Sequence, residues 1–221
     1  MFSIFRKARI GKRLAREARA FQVSGDNPTS TLLVLGDSTG VGVGARKAEE
    51  SLAGRFAKEV GAPYVENHSF NGAEVSDLLF QIHHAALAHY SYILIAIGGN
   101  DIMRFHSAEK ATRVLEHVLR ALPRHDTLVV CSAGNVGGAT IFPKFLRPFY
   151  TRLNIRYHEL FAKAVTALGG IYVNFYRKPT DDPFTLHPEI YLAADGLHPS
   201  SEGYRVWSDA IGVSTHLYTP R

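Results

Sequence analysis

Residues 31–40 read TLLVLGDSTG, an apolar run that ends in a glycine, an aspartate and a serine. A short continuous apolar run bounded by turn residues is typical of a strand that is buried on both faces. We therefore predict a strand over Thr31–Leu35 and place Ser38 in the turn at its carboxyl end. A serine in such a turn is a candidate nucleophile.

Three further blocks of chemically useful residues follow in the chain. They read Asn-Gly at residues 71–72, Gly-Gly-Asn-Asp at 98–101 and Asp-Gly-Leu-His at 195–198. The first two again follow strand-like runs, at residues 64–69 and 92–97, of which the second is apolar. The four blocks together hold a hydroxyl, an amide and an aspartate-histidine pair.

Strand-like runs alternate with segments in which apolar residues recur at spacings of three and four, as on one face of a helix. We predict strands at Thr31–Leu35, Tyr64–Ser69, Tyr92–Ile97, Thr127–Ser132 and Ile171–Phe175, and helices at about 45–60, 75–88, 108–122, 148–168 and 199–211. This alternation favours an α/β protein with a parallel sheet between two helical layers. The commonest order for such a sheet is the flavodoxin-like 2-1-3-4-5.

That strand order predicts where the blocks meet. Strands 2, 1 and 3 are neighbours, so the loops that carry Gly72, Ser38 and Asn100 start within about 10 Å, two strand spacings. Asp195 and His198 follow strand 5, and the long connection over residues 176–194 must bring them back. Pro199 suits the first position of the last helix, which would fix His198 at its entrance.

These residue types are those of acyl transfer to water. Ser38 would attack an ester carbonyl, His198 would accept its proton, and Asp195 would orient the imidazole. The backbone N–H groups of Ser38 and Gly72 and the side-chain amide of Asn100 would hold the oxyanion.

The four blocks resemble those of the SGNH (GDSL) hydrolase family, and the resemblance extends from residue 32 to about 211. It implies a flavodoxin-like three-layer fold, hydrolysis of esters or thioesters without metal or cofactor, and the roles just given. Thr39 departs from the family pattern, in which leucine is common. The prediction is a serine esterase for small to medium acyl chains, with lipid-derived esters among its substrates.

The walls of the substrate pocket are harder to predict. Aromatic residues follow strand 4 and lie in the connection after strand 5. We assign Phe142, Phe145, Phe149 and Tyr191 to the pocket, with ordinary packing beneath the next helix as the alternative for the first three.

Other functions remain to be weighed against the esterase. Gly40, Gly42 and Ala45 match a nucleotide-binding G-x-G-x-x-A pattern, although four residues separate the strand from the first glycine. A carbohydrate O-deacetylase would use the same scaffold and the same catalytic residues. Several histidines, at positions 68, 83, 84, 89 and 106, have no partner ligands at metal-binding spacing and are interpreted as solvated surface.

The charge of the chain is concentrated at its beginning. Residues 1–21 hold seven Arg or Lys against Glu17, which gives 7 − 1 = +6, so the remaining residues carry 18 − 19 = −1. The main body therefore has no basic surface for nucleic acid. Residues 1–21 form a predicted basic amphipathic helix, which would lie on an anionic membrane, on the protein's own body or on a second subunit.

The domain prediction is this helix, a linker at 22–30, the hydrolase domain at 31–213 and a tail at 214–221. Cys131 is the only cysteine, and no apolar run is long enough to cross a bilayer or to act as a secretory signal. We therefore expect a cytoplasmic protein, with the inner face of the membrane as its site of peripheral association. The oligomeric state stays open.

Overall fold

A computed structural model describes residues 2–25 and 28–218. Parts of the predicted linker and tail, at residues 26–27 and 219–221, lie outside the described residues. Within them, five parallel strands form one sheet in the order β2-β1-β3-β4-β5. The predicted α/β fold and strand order are confirmed.

The strands are β1 (Thr31–Gly36), β2 (Tyr64–Asn67), β3 (His89–Ala96), β4 (Arg124–Cys131) and β5 (Ile171–Val173). The helices are α1 (Phe2–Glu17), α2 (Ser38–Val41), α3 (Leu52–Glu59), α4 (Leu78–His83), α5 (Gly99–Met103), α6 (Ala108–Ala121), α7 (Arg147–Ala167), α8 (Pro183–Leu186), α9 (Pro188–Tyr191) and α10 (Ser201–Thr215). Short 3-10 turns lie at Ala48–Glu50, Val75–Asp77, Val136–Gly138 and Lys144–Leu146.

Strand β1 lies at the centre of the fold, and all of its residues are buried. Leu33 and Leu35 point into a core beneath α4, α6 and α7, whereas the alternate residues Leu32 and Val34 point to α3 and α10 on the other face. Since Gly36 pairs with Ala96 of β3, the two strands end at the same level. The loops after β1 and β3 therefore start side by side.

Several helix boundaries differ from the prediction because side chains cap the backbone. The helix expected over 45–60 is divided by Ser51, whose hydroxyl accepts a hydrogen bond from the Gly54 N–H at 3.1 Å. The helix expected over 75–88 is restricted to α4 after a 3-10 turn. The short helices α2 and α5 were not predicted, because four or five residues give no measurable periodicity.

The prediction that Pro199 opens the last helix is wrong. Helix α10 begins at Ser201, and the Ser200 hydroxyl caps it by accepting from the Gly203 N–H. Pro199 instead forms an antiparallel bridge with Leu192. His198 is therefore held by this bridge and by the loop before it, and not by the first turn of the helix.

The N-terminal segment packs on the body of the protein. The Lys7 ammonium donates to the carbonyl and the hydroxyl of Thr140, and the Asn71 amide donates to the Ala15 carbonyl. In the predicted linker, Val23 exchanges two backbone hydrogen bonds with Val65 at the edge of β2. No helix among the described residues combines the length and the apolar character needed to cross a bilayer.

Candidate active site

Ser38 lies where β1 turns sharply into α2. Gly36 has a φ of +148°, and a Cβ there would overlap the Ala96 carbonyl oxygen, so only glycine allows this approach of β1 to β3. Asp37 caps α2 by accepting from the Thr39 N–H at 2.8 Å. Ser38 is thus the first residue of a helix, and its N–H has no acceptor within that helix.

The structure brings Ser38, His198 and Asp195 into one hydrogen-bonded chain. His198 Nε2 lies 2.9 Å from Ser38 Oγ, and His198 Nδ1 lies 2.6 Å from Asp195 Oδ2. Ser38 and His198 are 160 residues apart in the sequence. One imidazole nitrogen is thereby positioned to take the serine proton while the other is held by a carboxylate.

The Asp195 carboxylate is only 1% exposed. Its Oδ1 atom accepts from the backbone N–H groups of Leu197 and His198, at 3.0 and 3.1 Å. Burial raises the pKa of Asp195, but the hydrogen bond and the charge of His198 and these two N–H groups outweigh it, so the pKa is lowered overall. The lowered pKa keeps the Asp195 carboxyl group in its ionised form.

Helix α1 closes the far side of Asp195. A Cβ built on Gly11 would stand 3.1 Å from Asp195 Oδ2, which is tighter than most real Cβ contacts, so the backbone of α1 lies close against the carboxylate. The Lys7–Thr140 hydrogen bonds fix the helix one turn away on the same side. The N-terminal helix therefore contributes to the burial of Asp195.

Of the predicted oxyanion donors, Ser38 and Asn100 line one cavity, whereas Gly72 is not among the described residues that line it. The Asn100 amide donates to the Ala73 carbonyl at 2.8 Å, which orients the side chain and leaves its second N–H for another acceptor. Gly72 has a φ of +83°, and outside its two chain neighbours the nearest atom to the space where a Cβ would stand is Arg104 Nη2, at 4.0 Å. Its neighbour Asn71 is the residue that binds α1.

A cavity of about 80 Å³ lies beside Ser38 and His198. Its apolar wall is formed by Met103, Phe184, Leu192, Leu197 and Trp207, and its polar residues include Asn100 and Asn135. The cavity is thus a small, mainly apolar space that opens onto the serine.

The four aromatic residues predicted for the pocket are not among the described residues that line this cavity. Phe145 and Phe149 are 72% and 64% exposed. Phe142 packs on Tyr150 with ring centroids 4.4 Å apart, and Tyr191 lies behind Phe184, 5.7 Å away. The loop after β4 turns its glycines and Asn135 toward the site, and its aromatic rings point elsewhere.

Comparison with known proteins decides the family. The sequence model of the GDSL-like Lipase/Acylhydrolase family matches residues 34–206. The chain belongs to this family. The four blocks predicted from the sequence all lie within the matched residues, whereas α1 lies outside them.

A curated member of the family, the GDSL-like esterase Rv1075c of Mycobacterium tuberculosis, is 27% identical over 188 residues. The match spans 81% of this chain and 60% of the relative. Among solved structures, a GDSL-like lipase from Parabacteroides merdae has a TM-score of 0.66 at 19% identity, covering 90% of this chain and 99% of that one. An acetylxylan esterase from Geobacillus stearothermophilus has a TM-score of 0.64 at 17% identity, covering 91% and 100%.

The glycines of the nucleotide-binding alternative face protein atoms. A Cβ on Gly40 would overlap the Ser69 side chain, and one on Gly42 would overlap the Ser51 side chain. The Gly40 carbonyl accepts from the Asn67 amide. No open cradle for phosphate exists at this turn, and family membership also disfavours the alternative.

One group of side chains has the composition of a metal site. Donor atoms of Glu74, Asp101 and His106 lie within 4.8 Å of one another. The group differs from an open site, because Glu74 forms an ion pair with Arg104 and Asp101 accepts from the Val75 N–H. Of the other histidines, His68 bonds to Glu66 and His89 to Asp126.

Asp101 has a structural role, because its carboxylate accepts a hydrogen bond from the backbone N–H of Val75, 26 residues away. Burial, with a smaller contribution from the charge of Glu74, raises the pKa of Asp101 to about 6. This carboxylate therefore fastens the start of the Val75–Asp77 turn and does not touch the serine chain.

Gln81 also positions the site, and sequence reasoning missed it. Its amide donates to the Gly36 carbonyl and accepts from the Gly36 N–H, at 2.8 and 2.7 Å, and so holds the end of β1 just before Ser38. The signal was available, because Gln81 lies three residues after Leu78 on the apolar face of its helix. A polar residue on a buried face needs a partner.

Proposed function

We propose that this chain is a serine esterase that hydrolyses carboxylic esters of small to medium acyl chains through an acyl-enzyme on Ser38. The observation that carries the proposal is the continuous hydrogen-bonded chain from Ser38 Oγ through His198 to the buried Asp195 carboxylate. Membership of an acylhydrolase family supports the same chemistry.

The mechanism follows from the positions of these groups. As Ser38 Oγ bonds to the ester carbon, its proton moves to His198 Nε2, and Asp195 stabilises the imidazolium. The oxyanion accepts from the N–H groups of Ser38 and Gly72 and from Asn100 Nδ2, each worth about 3 kcal/mol in the transition state. The alcohol leaves with the proton from His198. Water then repeats the sequence on the acyl-enzyme and releases the acid.

The size of the cavity supports a short acyl group. A cavity of about 150 Å³ is large enough to bind benzene, and this one is about 80 Å³. We therefore propose that acetyl to butyryl groups fit against the apolar wall. Longer acyl chains would have to extend out of the open side of the cavity.

The test is the hydrolysis of nitrophenyl esters from acetate to palmitate by the wild type, Ser38→Ala and the exposed-serine control Ser76→Ala. Ser38→Ala should lower kcat at least about a thousandfold with an unchanged circular dichroism spectrum. Ser76→Ala should match the wild type. Catalysis should decline beyond butyrate. Near-wild-type turnover by Ser38→Ala would remove the proposed nucleophile.

A carbohydrate O-deacetylase is the second candidate. The small cavity suits an acetyl group, and the neighbour from Geobacillus stearothermophilus is described as an acetylxylan esterase. Acetylated xylo-oligosaccharides separate the two proposals. A kcat/KM for them far above that for nitrophenyl acetate would favour the deacetylase, and no detectable release of acetate would exclude it.

We also propose that the protein is cytoplasmic and that α1 binds the anionic inner face of the cell membrane. The apolar residues Ile10 and Leu14 of α1 are half-buried. Basic side chains form a shallow groove on the surface of the helix together with Ile10 and with Phe5, which is 64% exposed. Binding of the α1 arginines to anionic lipid headgroups would be electrostatic and would weaken as the salt concentration rises.

Vesicle co-sedimentation tests this interaction. Arg9→Glu with Arg13→Glu should abolish binding to phosphatidylserine vesicles, as should about 0.5 M salt. The matched double variant on the exposed face of α6, Arg113→Glu with Arg120→Glu, should bind as the wild type does. Equal binding by the two double variants would refute the proposed surface.

A further inference from the structure

Helix α1 lies across the carboxyl ends of the strands. It meets the loops that follow β4, β5 and β2 through the pairs Lys7–Thr140, Gly11–Asp195 and Ala15–Asn71. Parallel strands all end at the same edge of their sheet, so the three loops share one edge of the molecule. The basic helix therefore lies on the edge that also holds Ser38 and His198.

The loop after β4, residues 132–146, continues this edge. Its first half lines the cavity of the candidate active site through Asn135, Val136, Gly138 and Ala139. Thr140 comes next and accepts the hydrogen bonds of Lys7, at 2.7 and 3.0 Å. Phe145 lies in its second half and Phe149 in the first turn of α7, and the two rings are 72% and 64% exposed. One short segment thus joins the cavity wall, the contact with α1 and two exposed aromatic rings.

The same segment is purely cationic. No acidic residue occurs between Asp126 and Glu159, and this interval holds the basic residues Lys144, Arg147, Arg152 and Arg156. Burial lowers the pKa of Lys7, and the charges of Arg147 and Arg6 lower it further, against the opposite effect of Asp195. The positive charge of α1 therefore continues onto the start of α7.

Exposed aromatic rings among cations suit the interface of an anionic bilayer. The cations pair with lipid headgroups, and the rings enter the boundary between headgroups and acyl chains. A second copy of the chain is a poorer occupant, because a two-fold dimer built on this segment would place equal positive charges opposite each other. The charge thus favours lipid over self-association.

We propose that Phe145 and Phe149 insert into the anionic membrane on which α1 lies, and that this docking places the cavity beside Ser38 at the lipid surface. The proposal rests on the esterase function and on the α1 membrane surface proposed above, and deepens both. The substrate class is then an ester that the bilayer holds by its long alcohol part, while its short acyl group enters the cavity.

Fluorescence tests the insertion directly. Phe145→Trp and Phe149→Trp are each mixed with phosphatidylserine vesicles, with and without bromine atoms on the acyl chains. The emission of both should shift to shorter wavelength on binding and be quenched by the brominated lipid. The control is Val213→Trp at the exposed end of α10, which should show neither change. Trp207, the only native tryptophan, gives the background common to all three.

Hydrolysis tests the consequence for the substrate. Phe145→Ala with Phe149→Ala removes apolar area but no charge, so kcat/KM for hexadecyl butyrate in phosphatidylserine vesicles should fall about tenfold. The same variant should hydrolyse nitrophenyl butyrate in solution as the wild type does. The matched control is Leu168→Ala with Val213→Ala, two exposed apolar residues away from this edge, and it should leave both activities unchanged.

Unquenched emission from both tryptophan variants, on vesicles that they bind, would overturn the insertion and leave the α1 surface intact. A wild type that does not sediment with the vesicles would overturn the α1 surface as well. A wild-type dimer that Phe145→Ala with Phe149→Ala dissociates would show that a second copy covers the rings, and would also overturn the insertion.

Failure of the esterase itself has a separate signature, the absence of Ser38-dependent hydrolysis of nitrophenyl butyrate in solution. Circular dichroism of the variants separates each of these results from a failure to fold.

Discussion

Asp195 and Asp101 are both buried aspartates near the carboxyl edge of the sheet, 1% and 4% exposed, and their carboxylates are held in opposite ways. The partners of Asp195 are His198 and two backbone N–H groups, and its pKa is lowered. Asp101 accepts from the Val75 N–H with Glu74 nearby, and burial raises its pKa to about 6. Burial is common to both, so the neighbours decide which carboxylate stabilises a positive charge.

The ionisation of the two aspartates changes the free energy of unfolding with pH in opposite directions. Because the pKa of Asp195 is lowered, its contribution to the free energy of unfolding is present above its unfolded pKa and is lost as the pH falls through the folded one. Because the pKa of Asp101 is raised, its stabilisation is greatest at low pH and is lost as the pH rises from about 4 to about 6. This contrast is the basis of the following predictions.

The largest effect is expected at Asp195. Asp195→Asn keeps the shape of the side chain but removes the charge and favours the wrong imidazole tautomer, so kcat should fall at least about a thousandfold. Steady-state kinetics on nitrophenyl butyrate measures this loss, with the exposed Asp209→Asn as the control. A loss confined to KM, with kcat preserved, would show that Asp195 has no part in the chemical step.

A smaller effect is expected where α1 touches Asp195. Gly11→Leu would force the helix away from the carboxylate and let water reach it, lowering kcat about tenfold to a hundredfold with little change in KM. In the same segment, Gly25→Leu should leave kcat unchanged, because a Cβ there makes only ordinary contact with the Pro63 carbonyl at 3.6 Å. If both variants keep the wild-type kcat, α1 plays no role in positioning the acid.

The smallest effect on catalysis is expected at Asp101. Asp101→Asn should keep kcat within about threefold, since the residue contacts Val75 and not the serine chain. Its effect should be on stability: the wild type should lose about 3 kcal/mol between pH 4 and pH 6 from this group, and the variant should not. Urea unfolding at several pH values measures the difference, and parallel pH curves for the two proteins would contradict the assignment.

The sequence was informative wherever one short segment held both a pattern that predicts secondary structure and the polar side chains of the candidate site. The apolar run before Ser38 predicted β1, and the alternation of strands and helices predicted the sheet order, which places the loop of Asn100 beside that of Ser38. The block at 195–198 predicted the carboxylate partner of the imidazole, because four consecutive residues hold both groups.

The sequence was uninformative about contacts between distant segments. Nothing in the sequence around Gly11 indicates that α1 lies against Asp195, because the contact between Gly11 and the carboxylate forms only in the folded protein. The aromatic residues after β4 were assigned to the pocket by composition, but the direction of each ring depends on how the loop packs on α7. Asn135 was overlooked because a single asparagine in a loop is ordinarily a turn residue.

Reaction with a fluorophosphonate, followed by peptide mapping, tests most directly whether Ser38 is activated by His198 and Asp195. We expect a single adduct on the peptide that contains Ser38, formed far more slowly in Asp195→Asn and absent in Ser38→Ala. Two results would contradict activation of Ser38. One is an adduct on a different serine, and the other is protein that the probe has inactivated although Ser38 is unlabelled.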